Sequence, residues 1–333
     1  IALGLMKLGC IQIPATAQLQ KKDIAYRISA SEAKLVICVG EDEVCEHTLA
    51  AAQECGVPAA CLGGAREGFL DFSRLMEEAS DAPALSARPN TNDDIMLMYF
   101  TSGTTGMPKM VAHNFAYPLG HIQTAVYWQQ CIDGGLHLTV SETGWAKSVW
   151  GKLYGQWFAE TTVFVYDFDK FDAADILPLF KKYGITTFCA PPTMYRMMIK
   201  EDLRKYDLSS VKHASIAGEA LNPEVFKQME ELTGLQVMEG FGQSETTLCI
   251  GNLYGNAHKV GSMGKPVPIY DIVLVDHDGK PVEVGESGEI CIRTDKGAPC
   301  GLFTGYYRDE EKTKEVWHDG LYHTGDVAWQ DED

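Results

Sequence analysis

A chain of 333 residues is longer than one compact domain usually runs, so two or three subdomains with cores of their own are expected. Its 45% hydrophobic and 22% charged residues describe an ordinary globular protein. A formal net charge of -18 and a pI near 4.9 argue against nucleic acid or an anionic membrane surface as a partner, so any bound nucleotide must be held by local donors.

In chain order, the opening Ile-Ala-Leu-Gly-Leu-Met-Lys-Leu-Gly-Cys has no basic leader and carries Lys7 in its apolar stretch, so it reads more as the end of a buried helix than as a signal peptide. Ile24 and Ile28 share a helix face, Leu35 to Val39 reads as a strand, 43–55 as a helix and 58–62 as a strand. Residues 80–94 hold few apolar groups and two prolines, the composition of a connector. Ile95 to Phe100 is a short apolar strand, and Lys-Met-Val-Ala-His, from Lys109, is a second one. Further strands are expected near 161–166, 186–189, 213–217 and 235–239, with helical segments at 144–159, 171–183, 191–202 and 222–234. Asn222, Pro223 and Glu224 together make a helix start: a capping side chain, a proline at the first helical position and an acid at the positive dipole end. Strands alternating with helices indicate parallel sheets with crossover helices. After about 256 helical periodicity nearly vanishes. Tyr270 to Val275, the turn His277-Asp278-Gly279-Lys280 and Gly288 to Arg293 suggest a small antiparallel barrel or meander.

Ten cysteines are scattered without a Cys-x-x-Cys pair or a Cys/His ligand spacing, and several sit in apolar runs, which points to a reducing, cytoplasmic location. No apolar run reaches the length of a membrane span.

Four segments carry chemistry. Thr101, Ser102, Gly103, Thr104, Thr105 and Gly106, closed by Lys109, combine hydroxyl donors, glycines that free backbone N–H groups, and a point charge, all of which suit an oxyanion. A Walker loop places Gly-Lys and a hydroxyl at a helix start, whereas here Pro108 intervenes and Met110 follows the lysine; a strand, loop, strand hairpin fits better. Met-Glu-Gly-Phe-Gly-Gln-Ser-Glu-Thr-Thr, 238–247, follows an expected strand, where open α/β sheets bind ligands. Gly240 and Gly242 let backbone approach a flat ligand, Phe241 offers a ring face, Ser244 a hydroxyl, and Glu245 an acid that beside an anion makes sense when magnesium bridges them. Read alone, Glu245 is equally a solvated loop carboxylate. Upstream, Ala217, Gly218 and Glu219 end another strand with small residues that leave room for a ligand or for close helix packing. Finally, Asp326 in His-Thr-Gly-Asp can accept from both hydroxyls of a ribose, or be a turn aspartate.

Taken in this order, the loop at 101–109, Gly218-Glu219, the loop at 239–245 and Thr324-Gly325-Asp326 resemble the adenylate-forming superfamily of acyl-CoA synthetases, luciferases and peptide-synthetase adenylation domains, over essentially the whole chain. Thr-Val-Ser-Glu-Thr-Gly-Trp (139–145), Ala-Pro-Pro-Thr-Met-Tyr-Arg (190–196) and Phe-Gly-Gln-Ser-Glu-Thr look most like the medium-chain acyl-CoA synthetase group. The resemblance implies an α/β fold of two doubly wound βα subdomains, the first incomplete (1–90 and 91–255), followed by a β-barrel-like subdomain (256–333): the large N-terminal domain of such an enzyme. It also implies a two-step reaction in which a carboxylic acid and ATP give an acyl-adenylate and coenzyme A displaces AMP. By that resemblance residues 101–109 hold the β- and γ-phosphates, with Lys109 neutralising pyrophosphate, and Glu239, Gly240, Phe241, Gly242, Gln243 and Ser244 frame adenine and the α-phosphate. Gly218 and Glu219 would join the ATP site, Glu245 would ligate Mg2+, Asp326 would bind ribose, and Trp145, Ala217 and Gly218 would line the acyl pocket.

The chain lacks an initiator methionine and stops at Gln-Asp-Glu-Asp, 330–333, where the family's mobile C-terminal domain with its catalytic lysine should follow. A fragment that holds ATP more than it turns it over is therefore expected. Another adenylating ligase, such as a peptide-synthetase adenylation domain or an acid:carrier-protein ligase, shares these motifs, and a Walker-type ATPase or a non-catalytic fragment are the remaining readings. Chain length of the acid and oligomeric state are not readable.

Overall fold

The computed structural model describes residues 1–82, 88–101, 107–168 and 170–333. The chain divides into two compact units, one of residues 1–91, 96–110 and 142–145, the other of 92–95, 111–141 and 146–333.

In the first unit three strands, Val36–Val39, Ala59–Leu62 and Leu70–Asp71, pair in parallel. Helix Lys21–Ser31 puts Ala25 and Ile28 against Ala51 of helix Asp42–Cys55, the three-residue spacing that keeps two side chains on one helix face. Gly56 ends the latter helix with φ 68°, a conformation that glycine adopts without a Cβ penalty. The opening segment is a helix, Ala2–Leu8, but none of its residues is buried, so the expectation of a buried helix end does not hold. Strand Ile95–Thr101 buries Met96 to Tyr99, and Gln12 bonds to one edge of it, its N–H donating to Met96 O and its carbonyl accepting from Met98 N. Gly144 lies flat on the backbone of Ala15 and Thr16, where any Cβ would collide.

The second unit is built on a seven-stranded sheet ordered Lys265–Pro266, Ile250–Gly251, Val237–Phe241, His213–Ile216, Thr187–Ala190, Leu136–Thr139, Thr162–Val163. The last five strands are parallel and the first two antiparallel. Helices Ala173–Tyr183 and Pro223–Thr233 press Ile176, Leu177 and Phe180, and Val225, Phe226 and Met229, into the core beside the sheet. Their starts follow the expected chemistry: Asp172 accepts from Ala174 N, and Asn222 from Glu224 N at 2.8 Å. The doubly wound α/β architecture is thus present.

Two local departures matter. The helix expected over 144–159 is broken into Ala146–Lys152 and Gly155–Phe158, because Tyr154 takes φ 53° and Gly155 then abuts the His121 carbonyl, leaving no space for a Cβ. Ahead of Leu136–Thr139 lie helix Tyr117–Ile122 and a π-helical segment Gln123–Trp128, both unassigned from sequence. The wider π-turn ends at Trp128, whose buried indole N–H donates to the carbonyls of Met238 and Glu239 at 3.2 and 3.1 Å.

After residue 266 the chain forms a four-stranded antiparallel sheet ordered Ile272–Val275, Ser287–Arg293, Leu321–Trp329, Trp317–His318, with the expected turn closed by Asp276 and Lys280. A short helix, Glu310–Val316, interrupts it; Asp309 caps it on Lys312 N. The pairing of Ser287–Arg293 with Leu321–Trp329 slips between Cys291↔His323 and Glu289↔Val327. Ile290 therefore faces the whole tripeptide Thr324-Gly325-Asp326, which bulges from the ladder; Gly325 allows this with φ 76°.

Candidate active site

Two nominated loops leave the C-terminal ends of neighbouring parallel strands, the place where an open α/β sheet offers a ligand crevice. Strand His213–Ile216 runs into Ala217, Gly218 and Glu219, and strand Val237–Phe241 into Gly242, Gln243, Ser244 and Glu245. Gly218 has φ 109° and open space on its Cβ side, and Glu219 is exposed.

The second loop is fixed from several directions. Gly240 packs against Trp128 and Leu248, whose atoms lie 2.7 Å from where a Cβ would sit, and Gly242 against Trp150 and the Thr247 carbonyl. Both glycines are thus demanded by the protein's own packing. Buried His113 donates from Nε2 to Ser244 O at 2.7 Å; burial lowers this imidazole to about 4, so it stays a neutral donor. Glu245 accepts from the Tyr306 hydroxyl at 3.0 Å on Oε1 and from Phe303 N at 2.7 Å on its carbonyl. Burial, then the Glu245 charge, pushes the Tyr306 phenol up, keeping the proton that it donates.

The bulged tripeptide meets this loop. The Gln243 amide donates from Nε2 to Asp326 Oδ2 at 2.6 Å and to Thr324 O at 2.9 Å, while its Oε1 accepts from the Tyr322 hydroxyl at 2.8 Å. Thr324 Oγ1 donates to Ile290 O at 2.7 Å, and Glu289 ties the bulge from the other side: Oε1 accepts from Gly325 N at 2.9 Å and Oε2 pairs with His323 Nδ1 at 2.9 Å. Asp326 itself is exposed. Tyr322, Tyr306, His113 and Glu289 were not singled out from sequence. Glu289 carried a signal: two residues before Cys291 in an expected strand, it shares the face on which that cysteine is buried.

Glu239 is placed inward. Its carboxylate accepts from Leu221 N at 2.9 Å and is buried; desolvation raises it, partly offset by that N–H. It therefore clamps the turn that carries Gly218 and Glu219. Phe241 is half-buried and its carbonyl accepts from Cys249 N.

Beside Ala217, which is buried, lies a group that sequence reasoning missed. Lys147 donates from Nζ to Ala217 O at 2.6 Å, and desolvation lowers this ammonium against the opposing pull of Cys189 and Glu219. An ammonium has three donors, and no second bond is made by this one among the described residues.

In the first unit, Thr101 ends strand Ile95–Thr101 and Lys109 begins strand Lys109–Asn114. A lysine that opens a strand rules out the Walker geometry, which needs a helix there. Ser102, Gly103, Thr104, Thr105 and Gly106 lie outside the described residues. Trp145, nominated for the acyl pocket, is 66% exposed in the turn before Ala146 and so is not a core tryptophan.

The family of AMP-binding enzymes matches residues 1–307. The chain belongs to that family. Among curated relatives, it is 37% identical to the mitochondrial acyl-coenzyme A synthetase ACSM3 of Mus musculus over 98% of this chain and 57% of the relative. It is 36% identical to the mitochondrial ACSM5 of Homo sapiens over 100% of this chain and 57% of that one. The chain thus spans little more than half the length of these relatives. Among solved structures, an acyl-CoA synthetase of Brucella canis superposes with TM-score 0.88 at 26% identity, covering 100% of this chain and 60% of the other. The anthranilate CoA ligase AuaEII, solved with anthranoyl-AMP, gives 0.89 at 25% identity over 99% and 63%. The expected cytoplasmic location does not stand, since the curated relatives are named mitochondrial. Free thiols report a reducing compartment and do not say which one.

Proposed function

We propose that this chain is the nucleotide- and acid-binding part of an AMP-forming acyl-CoA synthetase, activating a short- or medium-chain carboxylic acid through an acyl-adenylate. The observation that carries this reading is the Gln243 bridge, which joins the loop nominated for adenine and the α-phosphate to the Asp326 turn nominated for ribose. The bridge brings two motifs some eighty positions apart within reach of one ligand. The relatives named as acyl-CoA synthetases, and a neighbour solved with an acyl-adenylate, support it.

In the first step an oxygen of the ionised acid attacks the α-phosphorus and pyrophosphate departs; a carboxylate with a pKa near 4 needs no general base at neutral pH. Asp326 accepts from the ribose hydroxyls, with Oδ2 held by Gln243 so that its direction is set before the nucleotide arrives. The half-buried Phe241 lies against adenine. Lys109 and the hydroxyl loop from Thr101 take the β- and γ-phosphates. In the second step the thiol of coenzyme A displaces AMP from the acyl carbon.

Glu245 fits Mg2+: a hard carboxylate oxygen, oriented by the Tyr306 hydroxyl, is what this ion takes alongside substrate phosphates. When bound, the ion offsets phosphate charge. The lysine chain that crosses to Ala217 fills space beside the nominated acyl residues, which favours the short end of the acid range.

The test is calorimetric binding of ATP and of non-hydrolysable acyl-sulfamoyl adenosines to the chain. Saturable binding, weakened at least about tenfold by Asp326→Ala, supports the reading; loss of one or two charge-assisted bonds corresponds to about 1.5–3 kcal/mol. Absence of binding, or binding indifferent to Asp326→Ala, overturns it.

A further inference from the structure

The Gln243 side chain is held from opposite sides. Its Nε2 donates to Asp326 Oδ2 at 2.6 Å and to Thr324 O at 2.9 Å, while its Oε1 accepts from the Tyr322 hydroxyl at 2.8 Å. The two sides differ in how firmly they are placed. Asp326 is exposed and Thr324 belongs to the bulge, whereas Tyr322 is buried. Its ring lies 5.2 Å from Phe303 in edge contact and 6.3 Å from Trp317, and Phe303 lies 5.2 Å from Tyr306, the phenol that donates to Glu245. Phe303 is fully buried, and its N–H holds the Glu245 carbonyl at 2.7 Å. One buried aromatic cluster thus carries the two hydroxyls that orient Gln243 and Glu245.

Ring packing alone would accept a phenylalanine at position 322, so the hydroxyl needs a reason of its own. A buried hydroxyl is costly unless it is bonded, and among the described residues Gln243 Oε1 is its single acceptor. Burial, and then the Glu245 charge, pushes this phenol up, so its proton stays available to donate. With Oε1 anchored there, the amide presents a fixed pair of N–H donors to the bulge. Turned over, it would set its oxygen against the Asp326 carboxylate and the Thr324 carbonyl, and its NH2 against the phenolic proton. Without the anchor, the side chain of Gln243 would follow the exposed Asp326 instead of holding it.

Resting on the assignment of Asp326 to the ribose, we propose that Tyr322 is the positioning residue that makes this site selective for ribonucleotides over deoxyribonucleotides, acting through Gln243 on the Asp326 carboxylate. An ionised carboxylate has about four acceptor positions, and the amide occupies one of those on Oδ2. The others remain for the 2′- and 3′-hydroxyls. A nucleotide lacking one hydroxyl leaves an acceptor unpaired, and a carboxylate that is held in place cannot turn away to limit that loss. A carboxylate released from Gln243 can turn to water, so removal of the Tyr322 hydroxyl blunts the discrimination.

The 333-residue chain is titrated calorimetrically with ATP, 2′-deoxy-ATP and 3′-deoxy-ATP. Tyr322→Phe, which keeps the ring contacts, should lower the preference for ATP over each deoxynucleotide about 3–10-fold, by weakening ATP while the deoxynucleotide affinities stay within about twofold. An unchanged preference, or equal weakening of all three, overturns the proposal, since a merely structural hydroxyl would act on every nucleotide alike. A second measurement needs no nucleotide. The side-chain amide signals of Gln243, identified by their loss in Gln243→Glu, should exchange with solvent at least about tenfold faster in Tyr322→Phe than in the unmodified chain; equal exchange also overturns the proposal. Failure of the unmodified chain to bind ATP would count against the nucleotide reading itself, and the amide exchange would still decide whether Tyr322 positions Gln243.

Discussion

Mild acid should unfold the second unit through four buried histidines. His113 and His213 are lowered to about 4, and His121 and His137 to about 3, from an ordinary value of 6.5; burial is the largest cause in each. A histidine whose folded-state pKa is depressed contributes stability that is complete above its unfolded pKa and lost as pH falls toward the folded one. Between pH 7 and pH 5 the unfolded chain takes up nearly one proton per site and the native chain almost none, a loss of roughly 2 kcal/mol each. Four sites give about 7–8 kcal/mol, of the order of the whole 5–15 kcal/mol that holds a typical domain. Near pH 5 the slope should approach about 5 kcal/mol per pH unit. Urea unfolding followed by the fluorescence of buried Trp128 and Trp150 at a series of pH values measures this directly. His121→Phe should remove about a quarter of the slope: the ring packs against Tyr117 and Tyr154, and among the described residues neither nitrogen has a hydrogen-bond partner to lose. Stability that changes by less than about 1 kcal/mol between pH 7 and pH 5 would refute the reasoning, because it would require these imidazoles to be protonated, or hydrated, inside the fold.

Three further outcomes are expected. Lys147→Ala removes a chain lying along Ala217 and should shift the preferred acyl-sulfamoyl adenosine toward longer acids in a calorimetric series, whereas Lys147→Met, which keeps the volume, should not. Glu289→Gln weakens the hold on His323 and Gly325 and should reduce ATP affinity about 3–10-fold with an unchanged far-ultraviolet dichroism spectrum; unchanged affinity would mean that the bulge is held without it. Gly242→Ala drives a methyl group into Trp150 and the Thr247 carbonyl and should cost about 1–3 kcal/mol, seen as a melting temperature lower by several degrees.

Elements whose cause is local were legible in the sequence. Asn222, Pro223 and Glu224 announce a helix because cap, φ and dipole all act within one turn, and the cap bond is where they place it. Strand His213–Ile216 lies within the expected 213–217 and runs into the small residues Ala217 and Gly218. The helix break at Tyr154 was not legible, since its cause is the His121 carbonyl some thirty positions away. The π-helical segment escaped for a similar reason: its apolar residues fit neither a 3.6 nor a 2.0 period, and the contact that fixes it is Trp128 on the far strand Val237–Phe241.

The same distinction separates the nominated site residues. Glycine at 240 and 242 suggested close approach of a ligand, and close approach is what both positions show, but the approaching groups are Trp128 and Trp150. Glu239 was nominated as a neighbour of adenine; its carboxylate is the internal partner of Leu221 N, which ties it to the Gly218 turn. Gln243 is the opposite case. As one polar residue among several in a loop it had no special claim. Only the slip in register that frees Thr324, Gly325 and Asp326 from their ladder places an acceptor pair within reach of its amide. Pre-organisation of the Asp326 carboxylate therefore depends on a β-bulge and one glutamine together, and either alone would leave the carboxylate to be ordered by the nucleotide at a cost in affinity.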